Sequence, residues 1–255
     1  MSYTYIQILY CTFLFILTIV VGGLYYMKMK TEGFESRENR YIFYHIYCNK
    51  ETAPIVKDQI AKIVFSELYK TVTSVYCFLV GEESVIKEIK TILNNYGSKF
   101  KIAAEGPGDK TYERFTLLKI RDYIKSDDKF LYIHTKGVSK NSSDSIYYWR
   151  TYMEYNLFTN ASNCIELLNT YDIVGVAHST FSIGPHFSGN FWWSTGKYYL
   201  SLAPTIGSDY FAPEAYIFTG NPKYKDIDDG RFSNILKGND LNLYKNIIYP
   251  NIYLR

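Results

Sequence analysis

"FLYIHTKGVSK", residues 130–140, decides how the chain reads. Phe130 to Ile133 form a continuous apolar run, too short for a helix and closed by Gly137, so the stretch predicts a buried strand running into a turn. Strands buried on both faces belong to parallel sheets, and such sheets bind ligands beyond the carboxyl ends of their strands. His134 and Lys136 therefore emerge where a ligand would sit. Residues two apart in an extended segment point to the same side, so both can face one pocket. Gly137 permits close backbone approach or a positive φ. The competing reading, in which His134 closes the strand and Lys136 is a solvated turn residue, stays open.

Outward from this strand the pattern repeats. "YIFYHIYC" (41–48) and "SVYCFLVG" (74–81) are further apolar strands, and "FKIAAEG" (100–106) is a short third one. Between them, 53–69 carries Ile55, Val56, Ile60, Ile63 and Val64 at helical spacing, 82–97 is a second helix with an Asn/Gly stop, and 112–128 leads into the strand 129–135. This alternation predicts an α/β domain with a mostly parallel sheet covered by helices on both faces. The second half changes character: one long or two shorter helices over 146–170, a strand over 171–178, and a Gly- and aromatic-rich strand over 184–194. A short helix follows at 196–202, and "DIDDG" ends the pattern as a surface turn.

From Tyr5 to Met27 the chain runs 23 residues without a charge. As a helix this spans the ~30 Å core of a bilayer. No basic region precedes it, and it exceeds the roughly 7–15 residues of a signal-peptide core. The expectation is a single-pass anchor over 1–27, a polar juxtamembrane linker over 28–40 and one domain over 41–255. Lys28 and Lys30 follow the segment directly, which would leave the domain on the cytoplasmic side. A lumenal domain remains the alternative, and only there would the sequons at Asn141 and Asn160 be used.

Composition excludes several classes. The net charge of +3 over 255 residues, with no Lys/Arg block of five or more, speaks against a nucleic-acid partner. The cysteines, Cys11, Cys48, Cys77 and Cys164, show no C-x-x-C and no Cys/His pair at metal-ligand spacing, so neither a disulfide framework nor a zinc site is indicated. G-x-S-x-G, H-E-x-x-H and the phosphate-loop signature are absent, which removes serine hydrolase, zinc protease and P-loop readings.

"YIFYHIYCN", "KDQIAKIVFSELY", "YERFTLLKIRDY", "LYIHTKGVS", "YWRTYMEY", "DIVGV", "HFSGNFWWS" and "APEAYIF", in this order over about 41–220, resemble a glycosyltransferase-like family with a GT-A type fold, with members in large DNA viruses and bacteria. "YIHTKG" and "SGNFWW" are its most specific pieces. The resemblance implies a Rossmann-like domain that moves a sugar from a nucleotide-sugar donor to a hydroxyl of a glycan or glycoprotein acceptor. The alternative is a non-catalytic carbohydrate- or partner-binding protein that keeps the fold.

On that reading, the strand end where Asp-x-Asp would hold a metal carries His134 and Lys136 instead. They have the sign to neutralise a departing diphosphate directly. No metal or other cofactor is then required, although a divalent ion stays open. Asp127 and Asp128 lie at the wrong end of the strand to be a metal pair. Arg150 in "YYWRTYMEY" adds a candidate bidentate phosphate contact, with a helix-surface role as its competitor. Glu113 and Thr116 stand at a helix start, where capping competes with donor contact. Asn49, after the first strand, is where the fold analogy rests a nucleotide base.

The acceptor side gathers His186, Ser188, Gly189, Asn190, Trp192 and Trp193. Strand alternation sends the two tryptophans to opposite faces, so at most one could stack on a sugar while the other packs in the core. An inverting transfer also needs a carboxylate to take the acceptor's proton. Glu214 of "APEAYIF" is the first choice and Asp209 the reserve; a retaining reaction would void both.

Overall fold

The computed structural model describes residues 16–23, 38–106, 108, 112–138, 144–228 and 230. The chain divides into two units, Met1–Glu38 and Asn39–Arg255. In the first, the described helix covers only 16–23, eight residues. Among the described residues no helix is long and apolar enough to cross a membrane. This overturns the expected single-pass anchor over 5–27, and with it the lipid partner and the assignment of the domain to one side of a bilayer. The remainder of the expected segment, most of the linker over 28–40, and Asn141 lie outside the described residues.

The second unit runs β1 (Arg40–Cys48), α1 (Thr52–Phe65), α2 (Glu67–Thr71), β2 (Ser74–Gly81), α3 (Glu83–Asn95), β3 (Phe100–Gly106) and α4 (Arg114–Lys119). It continues with β4 (Lys129–His134), α5 (Asp144–Glu154), a π-helical turn (Tyr155–Thr159) and α6 (Ala161–Leu167). Then come β5 (Ile173–Gly175), β6 (His178–Ser179), β7 (His186–Phe187), β8 (Trp192–Thr195), α7 (Gly196–Ser201), α8 (Ala212–Ala215) and β9 (Tyr224–Asp226).

Seven strands form one sheet in the order β3-β2-β1-β4-β8-β5-β9. β3, β2, β1 and β4 are parallel; β8 runs antiparallel to both β4 and β5. The mixed, mostly parallel sheet agrees with the expected α/β class. Alternation along each strand splits the core into two layers. Ile42, Tyr44, Leu131, Ile133 and Trp193 pack against α1, α3, α5 and α6 on one face, while Phe43, Phe130, Tyr132 and Trp192 pack with residues of α4 and α7 on the other.

Two elements differ from expectation for local reasons. The helix expected over 53–69 breaks at Ser66, whose backbone is extended (φ −88, ψ 160) and whose Oγ donates to the Ile63 carbonyl at 2.7 Å. A serine hydroxyl that binds the backbone in this way competes with the helix ladder. The strand expected over 184–194 is two strands in different sheets, separated by Gly189 (φ 93) and Asn190 (φ 57). That turn positions the candidate site. Because β8 is antiparallel and pairs Trp192 with Tyr132, the residues just before it are delivered to the carboxyl end of β4.

Candidate functional site

β1 and β4 end side by side, with His45 in register with His134. The chain beyond is held by Thr135, whose N–H donates to the His45 carbonyl at 3.1 Å and whose Oγ1 accepts the Tyr47 N–H at 3.0 Å. Gly137 then turns with φ 94; a Cβ there would stand 2.6 Å from Ile146 Cγ2, so the position accepts only glycine without rearrangement. Asn49, the expected base contact, ties this loop down. Its Nδ2 donates to the Val138 carbonyl at 3.1 Å, and its Oδ1 accepts the Glu51 N–H at 2.9 Å.

His134 and Gly189 meet across the mouth of the sheet. His134 Nε2 lies 2.9 Å from the Gly189 carbonyl. A carbonyl only accepts, so Nε2 carries the hydrogen. Burial, with the Lys136 charge nearby, lowers the imidazole's pKa to about 3. His134 is therefore neutral at physiological pH, which corrects the expectation of two cations at this strand end: Lys136 is the cation, and His134 is a hydrogen-bonding residue. Lys136 Nζ lies 4.0 Å from the centroid of the Trp149 ring. Trp149 in turn borders Gly189, where a Cβ would stand 3.1 Å from its Nε1.

The Gly189–Asn190 turn collects both carboxylates of the site. Glu214 Oε1 accepts the Gly189 N–H at 2.7 Å. Glu113 Oε2 accepts from Asn190 Nδ2 at 2.7 Å and from the Tyr132 hydroxyl at 2.7 Å, while Glu113 Oε1 stands 3.9 Å from His134 Nε2. The Glu113 side chain makes no cap bond to α4. The capping role considered for it thus gives way to a place among the site's polar groups. Burial and the Glu113 charge push the Tyr132 pKa up, which keeps its phenol a donor. Behind this layer Thr116 Oγ1 and His45 Nδ1 share a 2.7 Å hydrogen bond, and burial lowers the His45 pKa to about 4.

The other expected site residues are placed as follows. Trp192 and Trp193 are 1% and 0% exposed, each on its own face of the sheet; Trp192 stacks on Tyr132 at 5.1 Å and Trp193 Nε1 donates to the Leu157 carbonyl at 3.1 Å. Neither ring offers a face to a sugar, which corrects their assignment to the acceptor. His186 is buried in β7 with Nδ1 2.8 Å from the Gly184 carbonyl. Ser188 is half-buried, its N–H donating to the Ala177 carbonyl at 3.0 Å. Asp209 is exposed, and its backbone carbonyl accepts from Arg114.

Arg150 is interior, not on a helix surface. Its guanidinium pairs with Asp58 at 3.2 Å and Glu154 at 3.3 Å and donates to the Lys136 carbonyl at 3.1 Å. Lys62 completes this buried cluster at 2.8 Å from Asp58 and 2.6 Å from Glu154. Arg150 thereby supports the loop that carries Lys136, with its charge already balanced by carboxylates.

Asp128 also has a structural task, accepting from Asn39 N at 3.2 Å and Lys125 N at 2.7 Å. Cys48, Cys77 and Cys164 are buried free thiols, those of Cys48 and Cys164 pushed up to about 12 by burial, which removes them as nucleophiles. Among the described residues no three His, Cys, Asp or Glu side chains converge as metal ligands, and Glu113 and Glu214 are already engaged by donors.

Solved structures similar in fold include a 4-diphosphocytidyl-2C-methyl-D-erythritol synthase from Anaerococcus prevotii, at 11% identity and TM-score 0.40, covering 78% of this chain and 95% of that one. The glycosyltransferase GlyE of Streptococcus pneumoniae matches at 12% identity and TM-score 0.40, over 80% of this chain and 51% of its own, so this chain spans about half of that protein. Likeness at this level carries no functional argument. No curated protein matches the sequence significantly. A family profile matches residues 43–207, which takes in most of β1, all of β4, Glu113, His134, Lys136 and the Gly189–Asn190 turn. The chain belongs to the family described as a domain of unknown function, DUF8361.

Proposed function

We propose that the protein is a glycosyltransferase of GT-A-like fold, moving a sugar from a nucleoside-diphosphate donor to a hydroxyl acceptor. The observation that carries this reading is the convergence of two carboxylates, Glu113 and Glu214, on the Gly189–Asn190 turn at the carboxyl ends of β1 and β4, with the cation Lys136 set against Trp149, whose ring borders the same turn. The donor's diphosphate lies against Lys136, whose ammonium is oriented by the Trp149 ring. As the acceptor oxygen attacks the anomeric carbon, the bond from that carbon to the diphosphate oxygen breaks. Its electron pair leaves with the diphosphate, where Lys136 offsets the growing charge. Glu214 takes the acceptor's proton, and configuration inverts. Neutral His134 adds no charge; it holds the Gly189 peptide through Nε2–H, so that the same residue's N–H can orient Glu214. No step is routed through a metal.

The test is turnover of the full chain with the common uridine, guanosine, cytidine and thymidine diphosphate sugars, with and without chelator. Release of the nucleoside diphosphate that persists in chelator supports the reading. Donor binding without any release supports a non-catalytic protein of the same fold, and absence of both overturns the proposal.

A further inference from the structure

Three exposed aromatic rings stand together at the edge of this site. Tyr112, Tyr210 and Phe211 are 41%, 59% and 50% exposed. Tyr112 meets Tyr210 edge-on with centroids 5.2 Å apart, and Tyr210 meets Phe211 in the same way at 4.9 Å. The rings come from two segments far apart in sequence, and Arg114 fastens one to the other. Its Nε donates to the Gly207 carbonyl at 2.6 Å, a second nitrogen donates to the Asp209 carbonyl, and its guanidinium carbon lies 6.0 Å from the Tyr112 ring.

Each segment also carries one of the site's carboxylates. Tyr112 immediately precedes Glu113, and the Phe211 carbonyl accepts the Glu214 N–H at 3.0 Å. Clustered exposed rings beside polar groups mark a binding surface, whereas isolated exposed rings such as Phe181 do not.

We infer that Tyr112, Tyr210 and Phe211 form a stacking platform for a pyranose ring of the acceptor, replacing Trp192 and Trp193 in that role; the inference rests on the transferase reading. A pyranose has an apolar face of C–H groups that fits an aromatic ring and an equatorial rim of hydroxyls that needs acceptors. The platform supplies the first, and Glu113 and Glu214 supply the second. Because Arg114 holds both segments, the rings are pre-organised and binding orders little additional chain.

Saturation-transfer NMR on the full chain, without donor, tests this with methyl glycosides of glucose, galactose, mannose and N-acetylglucosamine and with cellobiose, lactose, maltose and chitobiose. At least one of these pyranosides binds, with transfer strongest at its C–H face. Affinity falls roughly tenfold in Tyr210→Ala and further in the double variant with Phe211→Ala. Tyr210→Trp keeps it, and Phe181→Ala leaves it unchanged. All three positions are exposed, so the variants fold.

Binding that survives the double variant, absence of binding by every saccharide, or light scattering that shows the rings covered by a second copy overturns the platform. Thermal shift with the donor panel is read separately. A protein that binds nucleotide sugar but no pyranoside refutes the platform alone; one that binds pyranoside at these rings but no nucleotide sugar refutes the transferase reading alone.

Discussion

Glu214 is held by the backbone of Gly189: its Oε1 accepts that residue's N–H at 2.7 Å, 25 residues away in sequence. The turn can offer this N–H because Gly189 adopts φ 93, a conformation that costs an L-residue roughly 1–2 kcal/mol. A Cβ at that position would also stand 2.6 Å from Met153 Sδ.

Gly189→Ala should therefore displace the turn and with it Glu214. The expected outcome is a fall in kcat with a stability loss of about 1–3 kcal/mol. Glu214→Gln, which keeps the shape of the side chain, should leave donor binding intact and lower kcat by about 100-fold or more. Parallel thermal melts and donor turnover separate the two. If Glu214→Gln retains full turnover, Glu214 is not the base.

Glu113 accepts from two buried or half-buried donors, the Tyr132 hydroxyl and Asn190 Nδ2. Glu113→Ala strands the Tyr132 hydroxyl and leaves Asn190 Nδ2 only the Pro213 carbonyl at 3.4 Å, and a buried donor left without a partner costs about 1–3 kcal/mol. The matching measurement is a urea midpoint for Glu113→Ala, Glu113→Gln and Tyr132→Phe. Glu113→Gln should cost less than Glu113→Ala, since its amide oxygen still accepts. Equal midpoints for all three contradict the arrangement.

The buried cluster of Lys62, Asp58, Arg150 and Glu154 predicts an asymmetry between ion pairs. Burial would lower the Lys62 pKa, but Glu154 and Asp58 together hold it above the usual value. Glu154→Leu leaves Lys62 and Arg150 sharing Asp58 in the interior, and the expected loss is about 3–5 kcal/mol. Glu67→Ala removes the exposed pair with Lys70 and should change stability by no more than ~1 kcal/mol. Denaturant titration of both variants checks the contrast.

His45 and His134 make stability depend on pH. Their folded pKa values, about 4 and about 3, lie below the ~6.5 of an unfolded histidine. Between these limits the unfolded chain binds more protons, so the contribution is complete above pH ~6.5 and is lost as pH falls toward 4 and 3. Each histidine accounts for up to ~1.4 kcal/mol per pH unit within that window. Urea midpoints should fall from pH 7 to pH 5, while ordinary carboxylates remain ionised. His45→Phe should reduce the slope, and an unchanged midpoint over this range contradicts the assignment.

The parallel half of the sheet was legible because β1, β2 and β4 are apolar runs that pack on both sides. β8 was not legible as an antiparallel strand: "WWST" reads alike in either direction, and its orientation is decided by the Gly189–Asn190 turn and by pairing with Tyr132. His134 and Lys136 could be singled out from sequence because a strand end leaves a local signature, and Glu214 because the resemblance points to that position; the structure brings His134 and Glu214 together on the Gly189 peptide. Glu113 was misread as a possible cap because its partner Asn190 lies 77 residues away. The neutral state of His134 depends on burial that no local pattern reveals. Tyr112 and Tyr210 had no signal above a chain that is 18% aromatic.

The account depends most on Lys136 as the fixed cation for a diphosphate. Isothermal titration calorimetry of the full chain with uridine, guanosine, cytidine and thymidine diphosphates, in chelator, measures this directly. One of these nucleotides should bind the unmodified protein, about 10- to 100-fold weaker to Lys136→Ala, the loss expected for a charged hydrogen bond. Equal affinity in both proteins, or binding to neither, contradicts the account.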